Sequence, residues 1–137
     1  MKDLNEYIIG TIENERLMLE MAQLGEIDNK LIVYIRSNDA GNIPHFHIVD
    51  KRTLGKEFHT CVEIKTNKYF HHTGKEDVLN SKQRKNLNDF FKQKHKSTKL
   101  NLTNWEFCIV LWNMNNSNMN VPEDLEQPDY SEIFDNK

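Results

Sequence analysis

Pro44-His45-Phe46-His47-Ile48 is the stretch that decides the fold. Alternate side chains of a β-strand point to opposite faces, so its two histidines face the same side of a sheet. A second stretch, Phe58-His59-Thr60-Cys61-Val62-Glu63-Ile64, alternates in the same way. Paired as a hairpin, the two stretches would form one apolar face and one face that carries imidazoles, a thiol and a carboxylate.

The alternation of both stretches also suggests how they align. A register that buries one face of each stretch places the remaining side chains opposite one another across the hairpin. The expected register pairs three positions: Ile48 with Phe58, His47 with His59, and His45 with Cys61.

The composition is that of one small globular domain. The chain has 137 residues, of which 37% are hydrophobic and 28% charged, with a net charge of -3. We expect no membrane association, because no apolar run approaches the length of a span and the N-terminus lacks a basic-then-apolar leader. Cys61 and Cys108 match no CxxC pattern, which favours reduced thiols and a cytoplasmic location.

Charge is distributed unevenly along the chain. Residues 82–99 are rich in lysine, whereas residues 121–137 are acidic and contain Pro122 and Pro128. Acidic, proline-containing segments rarely fold alone. We therefore expect one α+β domain over residues 1–120 and an acidic, extended C-terminal tail over residues 121–137.

Helix and strand signals on both sides of the hairpin complete the expected fold. The first residues have the spacing of a short helix, residues 16–24 fit either a strand or a helix, and residues 31–36 alternate as a strand. Ser81 is the expected N-cap of one helix, and Thr103 opens a capping box with Glu106. The sequence thus predicts a small, mainly antiparallel sheet of three or four strands, packed on one face by two C-terminal helices.

Residues 31–113, about three-fifths of the chain, resemble a family of small bacterial proteins of unknown function. The resemblance lies in Ile35-Arg36 before an Asn-Asp loop, in Pro44-His45-Phe46-His47-Ile48 and in Val62-Glu63-Ile64. It continues in a helix over Leu87 to Phe91 and in the helix start Asn104-Trp105-Glu106. That family is loosely associated with toxin–antitoxin and mobile-element genes. The resemblance implies a compact α+β fold and no settled activity. The N-terminal segment, the loop after the histidine strand and the acidic tail are longer here.

The polar face of the hairpin is the candidate functional face, formed by His45, His47, His59, Cys61 and Glu63. A divalent metal needs three or four nitrogen, sulfur or oxygen donors around one point. The candidate metal ligands are His45, His47 and His59, with Cys61 or Glu63 as a fourth. The alternative is structural, with the imidazoles hydrogen-bonded to loop backbone or exposed to solvent.

Cys61 is also a candidate nucleophile. A thiol beside a histidine base loses its proton more easily and becomes reactive. The expected register places Cys61 beside His45. A buried structural cysteine is the alternative reading.

The basic segment is the candidate nucleic-acid surface, because lysines on the outside of a helix can neutralise phosphates. The alternative is the solvated face of an amphipathic helix, on which the acidic tail could also dock. The candidate contacts are Lys82, Lys85, Lys92 and Lys96.

The tail keeps large apolar side chains that are candidates for docking: Tyr130, Ile133 and Phe134. Such side chains are usually buried against a surface, and a tethered segment docks on its own domain without a concentration requirement. We expect the tail to dock on the same protein.

The expected function is a non-catalytic, cytoplasmic interaction module of a mobile-element or toxin–antitoxin-like system, with a protein partner or self-association. The alternative is a metal-dependent or thiol enzyme, acting on nucleic acid, that uses the histidine face. An interaction module would require no cofactor. The metal-dependent form of the enzyme would require a divalent metal.

Overall fold

The computed structural model describes residues 21–36, 43–70, 76–96, 101–116 and 120–135. The predicted N-terminal helix and the undecided residues 16–20 lie outside these ranges. The described elements are four strands and two helices: β1 (Met21–Ile27), β2 (Leu31–Arg36), β3 (His45–Asp50), β4 (His59–Glu63), α1 (Ser81–Lys92) and α2 (Asn104–Asn115).

The four strands form one antiparallel sheet in the order β1-β2-β3-β4. Each strand therefore pairs with its neighbour in sequence, which needs only short connections. The β1–β2 turn is tight, with Asp28 and Asn29 at φ values of 57° and 55°. Both are residue types that tolerate this left-handed conformation. The α+β fold predicted from the sequence is confirmed.

The β3–β4 hairpin has the predicted faces and a different register. In the structure His47 lies opposite Cys61, and Ile48 lies opposite Thr60, so the predicted pairing of His47 with His59 is wrong by two residues. The strands continue to pair as far as Asp50, whose N–H donates to Phe58 O at 3.2 Å. A shift of two residues leaves every side chain on its original face.

Both helices begin with reciprocal side-chain caps. The predicted Thr103–Glu106 capping box is present. The N-cap of α1 is Asn80 and not Ser81, because the Asn80 side chain accepts from the N–H of Gln83 while the Gln83 side chain accepts from the N–H of Asn80. Such boxes satisfy N–H groups that the first helical turn leaves without backbone partners.

One face of the sheet and the two helices enclose the main hydrophobic core. Phe46, Ile48 and Val62 contribute from the sheet, and Phe91 and Trp112 contribute from the helices. All five side chains are fully buried. The apolar face of the hairpin that carries the histidines is thus held in place by close packing.

Residues 120–135 lie against this core without forming a helix or a named strand. Val121 and Tyr130 belong to the main hydrophobic cluster, and Ile133 packs at its margin. The Tyr130 hydroxyl lies 3.0 Å from each of two backbone carbonyls, Glu63 O and Ile64 O. Phe134 instead pairs through its backbone with Lys68, while its ring is 55% exposed. The tail segment is therefore continuous with the packed domain.

Candidate metal centre

Four side chains that can donate to a metal lie on the other face of the β3–β4 hairpin. His47 and Cys61 lie directly opposite each other across the two strands. His59 precedes Cys61 by two residues on β4 and is therefore diagonal to His47. His45 precedes His47 by two residues on β3 and is diagonal to Cys61. Diagonal neighbours on one face are within reach of long side chains.

Three of these donors make a closed triangle. The distance from His47 Nδ1 to Cys61 Sγ is 3.2 Å, and that from His47 Nδ1 to His59 Nε2 is also 3.2 Å. The third edge, from Cys61 Sγ to His59 Nε2, is 3.6 Å. The His47 and His59 rings differ in orientation by only 5° with centroids 5.5 Å apart, so they meet edge to edge through these nitrogens.

Hydrogen bonds can form along only two of the three edges of this triangle. A ring nitrogen offers either one N–H or one lone pair, and a thiol offers one hydrogen. A hydrogen bond along two edges therefore leaves the third edge without a proton directed along it. A single cation at the centre would instead accept a lone pair from all three donors at once.

His45 joins the same group with a defined tautomer. Its Nδ1 lies 2.7 Å from Ile43 O. A carbonyl oxygen only accepts, so Nδ1 carries the proton and the neutral ring keeps its lone pair on Nε2. The donor atoms of His45, His47 and Cys61 all lie within 4.8 Å of one another, an arrangement that could hold a metal ion. Metal-ligating histidines commonly donate their second ring N–H to a carbonyl in this way.

The group is enclosed. His45, His47 and Cys61 are fully buried, whereas His59 is partly exposed. Aromatic rings form part of the wall, with Tyr34 stacked on His47 at a centroid distance of 4.9 Å and Phe70 stacked on His45 at 4.3 Å. Since these surroundings exclude water, direct interactions between donors, protons and cations are stronger here than at an exposed site.

Comparison with known proteins adds no relative. The chain has no significant match among protein-family models, curated proteins or solved structures. The resemblance to a toxin–antitoxin-associated family therefore stays a prediction.

The observed register changes the roles of the predicted site residues. Cys61 lies beside His47 and not beside His45 as expected, because His45 faces Glu63 across the hairpin. Glu63 is buried and accepts a hydrogen bond from Thr66 Oγ1 at 2.8 Å. Of the two predicted fourth ligands, Cys61 therefore lies with His47 and His59, whereas Glu63 is held by Thr66.

The predicted nucleic-acid contacts lie on α1 and directly after it. Lys82, Lys85 and Lys92 are exposed on α1, and Lys96 is exposed just beyond it. The tail lies along the same helix, where Asn88 Oδ1 accepts from the N–H of Tyr130 at 2.9 Å and Arg84 Nε donates to Ser131 O at 3.1 Å. The described contacts between the tail and α1 are therefore mainly hydrogen bonds and apolar packing.

The aromatic side chains that form part of the wall of the site, Tyr34 and Phe70, were not predicted from the sequence. Tyr34 pairs with His47 across the β2–β3 ladder and shares its face. The alternation of β2 could have predicted this position, because it places Tyr34 on the face opposite to Val33 and Ile35.

Within the described ranges, no helix has the length and apolar character needed to cross a membrane.

Proposed function

We propose that this chain is a small cytoplasmic interaction module whose central hairpin is held by a structural transition-metal ion. His47, His59 and Cys61 would ligate the ion, and His45 would complete the set. The observation that carries the proposal is the three-donor triangle with edges of 3.2, 3.2 and 3.6 Å.

Those edges have the size expected for ligands of one tetrahedral ion. Zinc binds histidine nitrogen at about 2.0–2.1 Å and cysteine sulfur at about 2.3 Å, which separates neighbouring donors by about 3.3–3.6 Å. A mixed set of imidazole and thiolate ligands favours zinc and other transition metals over magnesium or calcium, which prefer oxygen.

The enclosure of the donors favours a structural role for the ion. Structural zinc sites are closed by four protein ligands, whereas catalytic sites keep one position for water or substrate. Three of the four side chains here are fully buried. An ion at this point would link β3 to β4 by bonds that the unfolded chain lacks, and its binding energy would add to folding stability.

Adding Zn²⁺ to metal-free protein is expected to raise the melting temperature. An ion that binds only the folded state stabilises it by about 2.7 kcal/mol when its free concentration is about 100-fold above Kd. The rise should be absent in His47→Gln and in Cys61→Ser. It should shrink as the pH falls, because protons compete for the same donors. Differential scanning calorimetry measures each shift.

His95→Gln is the matched control, since His95 is also buried but its ring packs at a tilt against Phe107 elsewhere in the fold. It should retain the full zinc-dependent shift. Co²⁺ provides a second readout, because thiolate ligation produces a charge-transfer band that Cys61→Ser should abolish and Cys108→Ala should keep. A zinc shift that is equal in wild type and His47→Gln, or missing from both, would contradict the proposal.

A thiol enzyme is the second candidate, favoured by the 3.2 Å contact between Cys61 Sγ and His47 Nδ1. That pairing would generate a thiolate and an imidazolium, as in cysteine nucleophiles. The burial of Cys61 opposes it, since a substrate must reach the sulfur. Iodoacetamide distinguishes the two. The enzyme reading requires rapid alkylation of Cys61 in the folded, metal-free protein, whereas the structural reading requires that Cys61 and Cys108 react only on unfolding.

The interaction role and its setting follow from the sequence resemblance. They predict a protein partner, or a second copy of the chain, from a toxin–antitoxin-like or mobile-element system. Size-exclusion chromatography of the metal-loaded protein at several concentrations tests self-association directly.

A further inference from the structure

An open groove at one end of the sheet is separate from the metal centre. It has a volume of about 1120 Å³ and lies between the β1–β2 turn, the β3–β4 loop and the start of α1. None of the four donor side chains lines it. Its lining combines two apolar side chains, Leu31 and Phe58, with four cationic and three acidic side chains.

Cationic side chains surround the groove although the chain as a whole is negative. They come from three separate segments: Lys30 from the turn, Lys51 and Arg52 from the loop, and Lys82 from the helix. Lys51 is paired with Glu26 at 3.2 Å, and Arg52 is paired with Glu57. In the described part of the chain, Lys30 and Lys82 have no such carboxylate partner. Local clusters of this kind concentrate anions.

The three acidic side chains of the lining, Asp28, Asp50 and Glu57, each have a partner within the protein. Asp50 accepts hydrogen bonds from the backbone N–H groups of Thr53, Gly55 and Phe58, at 2.6, 3.0 and 3.2 Å. Burial alone would raise the pKa of Asp50, but hydrogen bonds from the Thr53 hydroxyl and from these N–H groups outweigh it and hold the pKa well below its usual range. The charge of Asp50 is thus directed at the loop amides, which it holds in place. Asp28 accepts from the Asn86 side chain.

We propose that this groove binds a nucleotide, with Lys30 and Lys82 on the phosphate and the Phe58 ring against the base. A phosphate suits a groove lined by cations from several segments, and a planar base suits stacking on an aromatic ring. Phe58 is half-buried and packs at the margin of the core, so its ring is held in position before any ligand arrives. This proposal is independent of the metal centre.

Isothermal titration calorimetry on the full chain tests the proposal by measuring its affinity for three probes: AMP, inorganic phosphate and adenosine. AMP should bind most tightly, phosphate more weakly and adenosine least. The double variant Lys30→Ala/Lys82→Ala should weaken AMP binding by about 10- to 100-fold, the effect of losing charge-assisted hydrogen bonds. Phe58→Leu should weaken AMP binding and leave phosphate binding unchanged.

The matched control is Lys85→Ala/Lys92→Ala, which removes two exposed lysines of the same helix that do not line the groove. It should keep wild-type AMP affinity. Equal losses in both double variants, equal binding of adenosine and AMP, or no binding of AMP would overturn the proposal. Tighter binding of a short single-stranded oligonucleotide than of AMP would also overturn it, in favour of a nucleic-acid site.

Discussion

Ending the chain after Asn120 is expected to cost more than about 5 kcal/mol of unfolding free energy, a large fraction of the total for a small domain. The truncation removes Tyr130, which is fully buried among Phe46, Phe91 and Trp105. Deleting one buried aromatic ring typically costs about 3–5 kcal/mol. The buried Val121 side chain is lost as well. Chemical denaturation followed by circular dichroism measures the loss.

Two single substitutions separate the parts of this effect. Tyr130→Phe keeps the ring and removes the hydroxyl that bonds to Glu63 O and Ile64 O, so it should cost about 1–2 kcal/mol. Phe134→Ala alters a ring that is 55% exposed and should cost less than about 1 kcal/mol. A truncated protein with the wild-type melting temperature and the wild-type size would show that the tail does not dock on this domain.

Phe46→Ala is expected to destabilise the protein by about 3–5 kcal/mol, the usual cost of deleting a buried ring and leaving a cavity. Phe46 is fully buried, and its ring meets those of Phe91 and Tyr130 edge to face at centroid distances of 5.0 and 5.4 Å. Such aromatic pairs add about 0.5–1.5 kcal/mol beyond the area they bury. Urea melts of wild type and variant give the difference.

Ile43→Ala is the matched control, because Ile43 precedes the same strand but is 47% exposed. It should change stability by no more than about 0.5 kcal/mol. If Phe46→Ala fails to fold, Phe46→Leu keeps most of the volume and should cost about 1.5 kcal/mol or less. A near-zero loss for Phe46→Ala would mean that this face of β3 is not the core face.

The faces of the hairpin were predictable because they depend on a local rule. Side chains alternate along any strand, so His45 shares a face with His47, and His59 shares a face with Cys61. Burying the apolar side of both strands then brings the two pairs to the same face. The capping box at Thr103 was predictable for the same reason, since all its groups lie within one helical turn. Each of these features is determined by residues close together in sequence.

The register was not predictable from alternation. A slip of two residues keeps every apolar side chain on the core face, so the hydrophobic pattern is equally satisfied by both alignments. The alignment in the structure coincides with the fold of the 50–58 loop, where Asp50 binds the loop amides and closes the hairpin against Phe58. That loop has no repeating pattern from which its geometry could be read.

The amino-acid sequence by itself thus determined the α+β class, the two faces of the hairpin and the helix that begins after Thr103, because alternation and capping act between near neighbours. The tertiary structure decided that Cys61 and not His59 faces His47, that Tyr130 enters the core, and that Lys30 and Lys82 border one groove. These outcomes join segments distant in the chain. They depend on how strands align and how elements pack, which periodicity does not specify.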